Sequence, residues 1–257
     1  MTQRIAISVQ DHADLAWKPV RGYRFAAEQS LVPLAFDELT TMTSHFVLAF
    51  VKNNDQFRLV ALLGPGMNAY VHPQDGQWLG GYVPAGFRAE PFELGATAEN
   101  PTEPILCIDP DALKPGYTPD THRLFDADGN LVGRSAEVLE FLYKRLKGVL
   151  AAEKVAATLT DLIEPWPLVL PRDGQPRKLE GLYRVNEHAL KSLPAGRLQQ
   201  LSQTNGLALA YAQLLSTGHL PELEKRIGLI ESLATASDPL DLNAYFADDG
   251  NVPTLSF

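Results

Sequence analysis

Four acidic residues, Glu90, Glu93, Asp109 and Asp111, lie in or near a segment that is rich in aromatic residues. Two carboxylates that the fold brings together can act as general acid and base, and His72 would supply a further acid or base beside that segment. Solvation of loops is the alternative role, because acidic side chains are mostly exposed. The spacing does not require any two of these carboxylates to meet, so both interpretations stay open.

Cys107 is the only cysteine, so an intramolecular disulfide is impossible and a disulfide-stapled secreted scaffold is excluded. It lies in the apolar run Ile105–Asp109, which predicts a buried, unreactive thiol rather than a nucleophile. The G-x-S-x-G and S-x-x-K patterns of serine hydrolases do not occur. The sequence therefore offers no familiar signal for covalent catalysis.

The histidines form no H-x-H, H-E-x-x-H or Cys/His pattern, the spacings typical of metal sites; they are His12, His45, His72, His122, His188 and His219. The loop Asp126–Asn130 resembles the start of a calcium loop but lacks the later ligands and the bidentate glutamate, which favours a solvated turn. No G-K-[ST] follows Gly64-Pro65-Gly66, so that segment is interpreted as a hairpin connection. We expect neither a metal nor a cofactor.

The segment Gln77–Phe92, which we call the aromatic insert, places large rings among glycines and prolines that shape the backbone. Aromatic faces beside arginine donors suit recognition of a peptide, a small aromatic molecule or an acidic group. The predicted ligand- or partner-binding residues come from this insert and a later hairpin: Trp78, Tyr82, Phe87, Arg88, Trp166, Tyr183 and Arg184. Packing of these rings in the core of a sheet is the alternative.

The formal net charge of -9 argues against nucleic-acid binding, which draws on clustered Lys and Arg. The densest basic stretch, Lys144–Lys147, falls inside an expected helix and forms no basic stripe. No run of about 18 apolar residues occurs, so no integral membrane segment is expected, and the N-terminal residues lack a signal-peptide pattern. We expect a soluble, cytoplasmic protein, with export by another route left open.

Apolar, partly β-branched runs dominate the first half of the chain. His45–Val51 and Phe57–Leu63 flank a polar turn and predict a hairpin. Met67–His72 and Gln77–Val83 flank an Asp-Gly turn and predict a second hairpin. Ile105–Asp109 is expected to form a short buried strand, and Arg123–Phe125 to pair across the turn Asp126–Asn130.

The period of the pattern changes near Ser135, which we interpret as a helix N-cap. The predicted helix breaks around Gly148 and resumes to Ile163. Leu168–Pro171 and Leu179–Val185 then flank a turn and predict one further hairpin, which we expect to join the sheet of the first half.

Helices fill most of the remaining chain. Asn186 is expected to cap a short helix, Pro194 to open another, and Gly206–Ser216 to form a buried helix because it is apolar on nearly every side. Leu220–Leu233 has the apolar spacing of an amphipathic helix. The tail is rich in Asp, Pro and Asn, and we expect it to be extended.

Together these patterns predict an α+β protein in which an antiparallel, β-rich N-terminal half packs with a mostly helical C-terminal half. The β-rich part covers residues 1–130, the helical part 131–235 with a hairpin at 166–185, and the extended tail 236–257. We expect one α+β unit, 1–257, rather than two independent domains.

An ordered set of motifs spread over most of the chain resembles the bacterial SapC-like family: Trp78-Leu-Gly-Gly-Tyr-Val-Pro84, Leu106-Cys-Ile-Asp109, Leu124-Phe-Asp-Ala-Asp-Gly129, Glu164-Pro-Trp166, Gly181-Leu-Tyr-Arg-Val185 and Ala210-Tyr-Ala-Gln-Leu-Leu-Ser216. The family name refers to an association with a surface layer, so the resemblance implies an envelope-related role without defining a chemistry. It does not refer to the peptide-transport permease of the same name, which would need spanning helices.

Our leading functional hypothesis is a binding or accessory protein that uses the aromatic insert to recognise a peptide, a small aromatic ligand or a protein partner. An enzyme that uses carboxylate or histidine groups near the insert is a second hypothesis. It predicts a deep pocket with ionisable groups, whereas a docking module predicts a flatter apolar patch. A structural component of a surface layer is the third hypothesis.

Overall fold

The computed structural model describes residues 4–95 and 104–235, and the predicted extended tail lies outside these residues. Their strands are short and are numbered here in chain order: β1 (Ile5–Ala6), β2 (Leu15–Trp17), β3 (Leu31–Pro33), β4 (Leu48–Asn53), β5 (Gln56–Leu62), β6 (Phe92–Gly95), β7 (Ile105–Ile108), β8 (Leu113–Pro115), β9 (His122–Arg123), β10 (Ile163–Pro165), β11 (Val169–Arg172), β12 (Gln175–Lys178) and β13 (Leu182–Val185).

The helices of the same residues lie mostly in the second half of the chain. They are α1 (Val9–His12), α2 (Leu39–Thr43), α3 (Gly133–Ala157), α4 (Glu187–Lys191), α5 (Ala195–Gln203), α6 (Gly206–Ser216) and α7 (Leu220–Thr235). The predicted α+β class is therefore confirmed, with antiparallel sheets in the first half and helices in the second.

The central sheet has five antiparallel strands in the order β10-β13-β4-β5-β3. Its hairpin β4–β5 pairs Leu48 with Ala61 and ends at the pair of Asn53 with Gln56. Asn54 and Asp55 form the turn with φ of 46° and 63°, the positive values that a two-residue hairpin requires and that Asn and Asp tolerate. The first predicted hairpin is thus confirmed.

The second predicted hairpin is largely absent, because its two arms share a single bridge between Val71 and Trp78. The turn itself forms, since the Gly76 amide donates to the His72 carbonyl over 2.9 Å. Tyr70 and Trp78 stack with ring centroids 5.6 Å apart, and the Gly-Gly and Pro residues that follow end the extended backbone. The two arms therefore contact each other mainly through stacked aromatic rings and not through a series of backbone hydrogen bonds.

A hairpin forms in the second half, but its second arm is β12 and not the predicted Leu179–Val185. β11 pairs with β12 in a sheet of two strands. Gly181, with a φ of 75°, follows β12, and β13 then enters the central sheet between β10 and β4. The C-terminal half therefore completes the central sheet through β10 and β13, and its hairpin stands beside it.

Two expectations about α3 are wrong. The helix begins at Gly133, and Ser135 is buried, where its hydroxyl donates to the Arg123 carbonyl and accepts from the Trp17 indole, each over 2.8 Å. The helix also continues through Gly148 without a break. A Cβ at Gly148 would lie 2.7 Å from Ala35 Cβ, so this glycine permits a close approach of the helix to the chain that follows β3.

The later helices match their predicted positions closely. The Asn186 side chain caps α4 by accepting from the Ala189 amide over 2.8 Å. α6 is linked to the central sheet by Gln213, which is fully buried, accepts from the Val185 amide and donates to the Leu48 carbonyl. Polar contacts therefore fix how the helix sits on β4 and β13.

The buried apolar residues form two clusters. The larger one surrounds the central sheet and includes Phe46, Phe50 and Leu59. The smaller one contains Trp17 and Phe92, whose rings meet edge to face at 4.7 Å, and lies with the other β-sheets of the first half. We call the boundary between these two clusters the seam.

The helix α3 crosses the seam. Val138 and Leu142, in its first half, belong to the smaller cluster, whereas Ala156, in its last turn, belongs to the larger one. The aromatic insert crosses the seam as well, with Phe87 in the larger cluster and Phe92 in the smaller one. Among the described residues, no helix combines the length and apolarity needed to span a membrane.

Candidate functional site

A cleft of about 570 Å³ opens at the seam, and we call it the seam cleft. Each neighbouring element contributes to its lining: Val32 from β3, Arg58 from β5, Gly86 and Phe87 from the aromatic insert, Phe92 from β6 and Arg145 from α3. The volume falls within the range of about 300–1,000 Å³ typical of small-molecule pockets. The mixture of apolar walls with a few charged groups is also typical of such pockets.

Arg145 is the most unusual residue of the seam cleft. Its Nε atom is buried and has no hydrogen-bond partner within the described part of the chain. Burial lowers the pKa of the Arg145 guanidinium, the nearby Glu38 carboxylate opposes that shift, and Arg58 adds to it. A buried polar group without a partner is costly, so its presence beside a cavity requires an explanation.

The sequence pattern of α3 accounts for the position of Arg145. The core-facing residues of the helix recur at alternating steps of three and four: Ser135, Val138, Leu142, Arg145, Val149, Ala152 and Ala156. Such a stripe faces one side of a helix. Arg145 therefore occupies a position that the helical period assigns to an apolar residue, and this was the signal that could have revealed it from the sequence.

Gly86 lets the aromatic insert approach Arg145 closely. A Cβ at this position would lie 2.5 Å from Val32 Cγ2 and 3.2 Å from Arg145 Nη2. The first distance is a clash, and the second is tighter than an ordinary contact. The glycine thus holds the insert against both β3 and the guanidinium, and it keeps this part of the seam cleft open.

Two other arginines of the seam cleft have carboxylate partners. Arg58 Nε lies 2.6 Å from Glu153 Oε1, which belongs to α3. Arg4 lies between two glutamates, with Nη2 2.7 Å from Glu90 Oε2 and Nε 3.2 Å from Glu93 Oε2. It also donates to the Pro91 carbonyl. These contacts leave Arg145 as the lining arginine without such an ion pair among the described residues.

The structure does bring two of the predicted acidic residues together. Glu90 and Glu93 both contact Arg4 and both line the seam cleft. Burial raises the pKa of Glu90, Arg4 opposes the shift, and the negative charges of Asp109 and Glu93 reinforce it. The Asp109 carboxylate caps the short 3-10 helix Pro110–Ala112 by accepting from the Asp111 amide over 3.0 Å. Sequence reasoning missed Arg4, the residue that joins the two glutamates.

A buried carboxylate links the aromatic insert to the same region. Glu38 is 8 % exposed, and its Oε1 accepts from the Tyr82 hydroxyl and from the Ala85 amide, each over 2.8 Å. Burial raises the pKa of Tyr82, and the hydrogen bond and charge of Glu38 raise it further, while Arg88 opposes the shift. Glu38 thus fixes the backbone just before Gly86 and faces the charge of Arg145.

The four predicted binding residues of the insert lie in one neighbourhood with different degrees of burial. Trp78 is half-buried and its indole donates to the Tyr82 carbonyl over 2.8 Å. Phe87 is buried and lines the seam cleft. Arg88 is exposed, and its guanidinium lies 4.6 Å from the centroid of the Tyr82 ring. Ligand binding by these residues stays a prediction.

The three predicted residues from the second half lie on the central sheet. Trp166 is buried in the larger cluster, and Tyr183 packs its ring against Phe57 at 5.1 Å. Arg184 is exposed and pairs with Glu164 over 3.0 Å. None of these three lines the seam cleft. Their role in binding also stays a prediction.

The remaining chemical candidates have local structural partners. His72 Nδ1 lies 3.0 Å from the Asp75 carboxylate in the turn before the insert. Cys107 is buried, and burial raises the pKa of its thiol, as expected for an unreactive cysteine. Asp126 accepts hydrogen bonds from the Asp128 and Asn130 amides within its own loop. Among the described residues, no group of three or more His, Cys, Asp or Glu side chains could hold a metal ion.

The fold and the cleft define an α+β protein with a small-molecule-sized cavity at the seam between two apolar clusters. The SapC family model matches residues 7–223, which is most of the chain, so the protein belongs to the SapC family. Neither the curated proteins nor the solved structures contain a match.

Proposed function

We propose that the protein is a binding or accessory protein that holds a small ligand, or a short segment of a peptide, in the seam cleft. The observation that carries this proposal is the cleft itself, a cavity of about 570 Å³ lined by Arg145, whose buried Nε has no hydrogen-bond partner among the described residues. Apolar pockets with a few convergent polar groups and a perturbed titratable residue are the usual sites of ligand binding.

The aromatic insert forms one wall of this proposed site. Gly86, Phe87 and Glu90 line the cleft directly, whereas Tyr82 supports the backbone through Glu38. The insert therefore contacts the cleft through its lining residues, while the hydrogen bonds of Glu38 to Tyr82 and Ala85 hold its backbone in place. This division favours recognition through the cleft-facing residues, with Trp78 and Tyr82 positioning them.

A crystallographic screen of small fragments tests this proposal. We expect bound fragments in the seam cleft of the unmodified chain. Val149→Trp places a large ring in the cleft and should abolish binding there. Leu150→Trp is a matched control, since Leu150 is the next residue, is 54 % exposed and does not line the cleft. Fragments that avoid the cleft, or that bind equally to both variants, would refute the proposal.

Acid or base catalysis at Glu90 is a second candidate function, favoured by the raised pKa of this carboxyl in the seam cleft. It predicts turnover of a compound found bound in the cleft, with loss of that turnover in Glu90→Gln but retained binding. Mass spectrometry would detect a chemical change of the compound. Binding without such a change would favour the accessory role.

Assembly into a surface layer, the third hypothesis, stays a prediction. Electron microscopy of the pure protein under assembly conditions tests it. Ordered arrays would support the hypothesis, whereas dispersed particles would count against it.

A further inference from the structure

The charged side chains that line the seam cleft differ in their ion-pair partners. Three arginines and two glutamates contribute to the lining. Arg4 is held between Glu90 and Glu93, and Arg58 is paired with Glu153 just outside the cleft. Glu38 acts on Arg145 through its charge, but no carboxylate forms an ion pair with Arg145 among the described residues, and the buried Nε has no hydrogen-bond partner there. The Arg145 guanidinium is therefore the lining cation that is left to contact an anionic group of a ligand directly.

The apolar lining of the cleft indicates the chemistry of the uncharged part of that ligand. This lining comes from both apolar clusters and from α3: Phe25, Val32, Phe87, Phe92, Leu142 and Leu146. Aromatic and aliphatic surfaces of this kind bury an apolar body rather than a sugar or a polar chain. The favoured ligand is thus amphipathic, with one charged end.

The neighbouring glutamates decide between the possible anions. A phosphate monoester carries close to two negative charges near pH 7 and is usually held by several cations or backbone amides. Glu90 and Glu93 would repel a dianion in the same cleft. A planar carboxylate carries one charge and matches the fork of a guanidinium through two parallel hydrogen bonds.

We propose that Arg145 anchors the carboxylate of a monoanionic ligand with an apolar body, either a free aryl or alkyl acid or the C-terminal residue of a peptide. This inference rests on the proposed function of the seam cleft and names its ligand class. The carboxylate contacts Arg145 beside Gly86, and the apolar body lies between Phe87 and Phe92.

Calorimetric titration with matched probes tests the inference. Phenylbutyrate is the acid, phenylbutyramide its neutral isostere and phenylbutyl phosphate its dianionic counterpart. Acetyl-Ala-Phe with a free and with an amidated C-terminus tests the peptide source. We expect the free acids of one or both sources to bind at least about 10-fold more tightly than their amides, and phenylbutyl phosphate to bind more weakly than phenylbutyrate.

Two arginine variants on the same helix provide the residue-level test. Arg145→Met should weaken the binding of the acids by about 10- to 100-fold and leave the weak binding of the amides unchanged. Arg134→Met is the matched control, because Arg134 is exposed and pairs with Glu137 on the first turn of α3. It should change the affinity by less than about twofold.

The outcomes separate this inference from the proposed function. If acids and amides bind the cleft equally, or if Arg145→Met has no effect on the acids, the inference is wrong while the proposed function stands. If no acid binds at concentrations up to about 10 mM, where even millimolar affinities register, the inference is also wrong. An empty seam cleft in the fragment screen would refute both.

Discussion

Replacement of Arg145 by methionine should stabilise the protein, and this expectation separates a functional arginine from a structural one. The Nε atom is buried without a partner among the described residues, and such a group costs about 1–3 kcal/mol. Methionine keeps much of the aliphatic stem and removes the charge. The substitution also removes the attraction between Arg145 and Glu38, which offsets part of the gain in stability. The offset is only partial because Glu38 keeps its hydrogen bonds from Tyr82 and Ala85.

The net expectation is a rise in the free energy of unfolding of about 1 kcal/mol for Arg145→Met. For a chain of this size it corresponds to a rise in Tm of about 2–4 °C. Equilibrium unfolding in urea, followed by far-UV circular dichroism, measures the free energy directly. Arg58→Met is the control, and it should lower the free energy of unfolding by about 1 kcal/mol because Glu153 loses its partner.

A loss of more than about 1 kcal/mol in Arg145→Met would refute this reasoning. It would show that the guanidinium has a structural role, and the case for an anion site would fall with it. A gain in stability together with a loss of acid binding is the combination that a binding residue predicts, since functional residues are often unfavourable for stability.

Three further variants and one control test the close packing at Gly86, the polar contacts of α6 and the ionisation of Glu90. Gly86→Ala should lower the free energy of unfolding by about 1–3 kcal/mol, because the new Cβ would contact Val32 and Arg145. Gly228→Ala is the control: Gly228 lies within α7, a Cβ there would point into open space, and the substitution should raise the free energy of unfolding by about 0.5–1 kcal/mol. Equal effects of the two substitutions in urea unfolding would contradict the close approach at Gly86. Gln213→Leu should cost about 2–4 kcal/mol, because the Val185 amide and the Leu48 carbonyl lose buried partners, and a cost below about 1 kcal/mol would show that α6 is not fixed by this side chain. The folded-state pKa of Glu90 lies above its ordinary value of 4.5. Above this raised pKa, Glu90 is ionised and lowers the free energy of unfolding. As the pH falls through the raised pKa towards 4.5, Glu90 takes up a proton in the folded state and the loss of stability disappears. The stability of the unmodified chain relative to Glu90→Gln should therefore rise between about pH 7 and pH 4.5 in urea unfolding, and a fall over this interval would mean that the pKa is lowered.

Local signals in the sequence were sufficient for much of the fold. The β4–β5 hairpin follows from apolar runs around turn residues that tolerate positive φ, and α6 follows from a continuous apolar segment of helical length. Asn186 acts as the predicted cap. These features depend on residues near one another in the chain, which is why a pattern reveals them.

Features that depend on distant residues were not predictable in the same way. Serine is a common N-cap residue, but the Ser135 hydroxyl instead forms hydrogen bonds with Trp17 and Arg123, two residues from other elements. Gly148 looks like a helix break, but it accommodates Ala35 from the chain after β3. In both cases the sequence indicates that the residue has a particular structural role, but the role itself depends on neighbours that are distant in the chain.

The candidate site was predicted in part. The aromatic insert does form a wall of the seam cleft, and Phe87 and Glu90 line it. Arg145 was overlooked because it lies in the basic stretch 144–147, although its place in the apolar stripe of α3 marks it as facing inward. Arg4 is separated from Glu90 by most of the β-rich half, so no local pattern connects them.

A crystal structure of the chain with phenylbutyrate would show directly whether Arg145 anchors a carboxylate. We expect the carboxylate within about 2.7–3.2 Å of the Arg145 guanidinium, with the phenyl ring in the seam cleft against Phe87 and Phe92. Phenylbutyrate bound elsewhere, or bound in the cleft with its carboxylate pointing away from Arg145, would show that Arg145 is not the anchor.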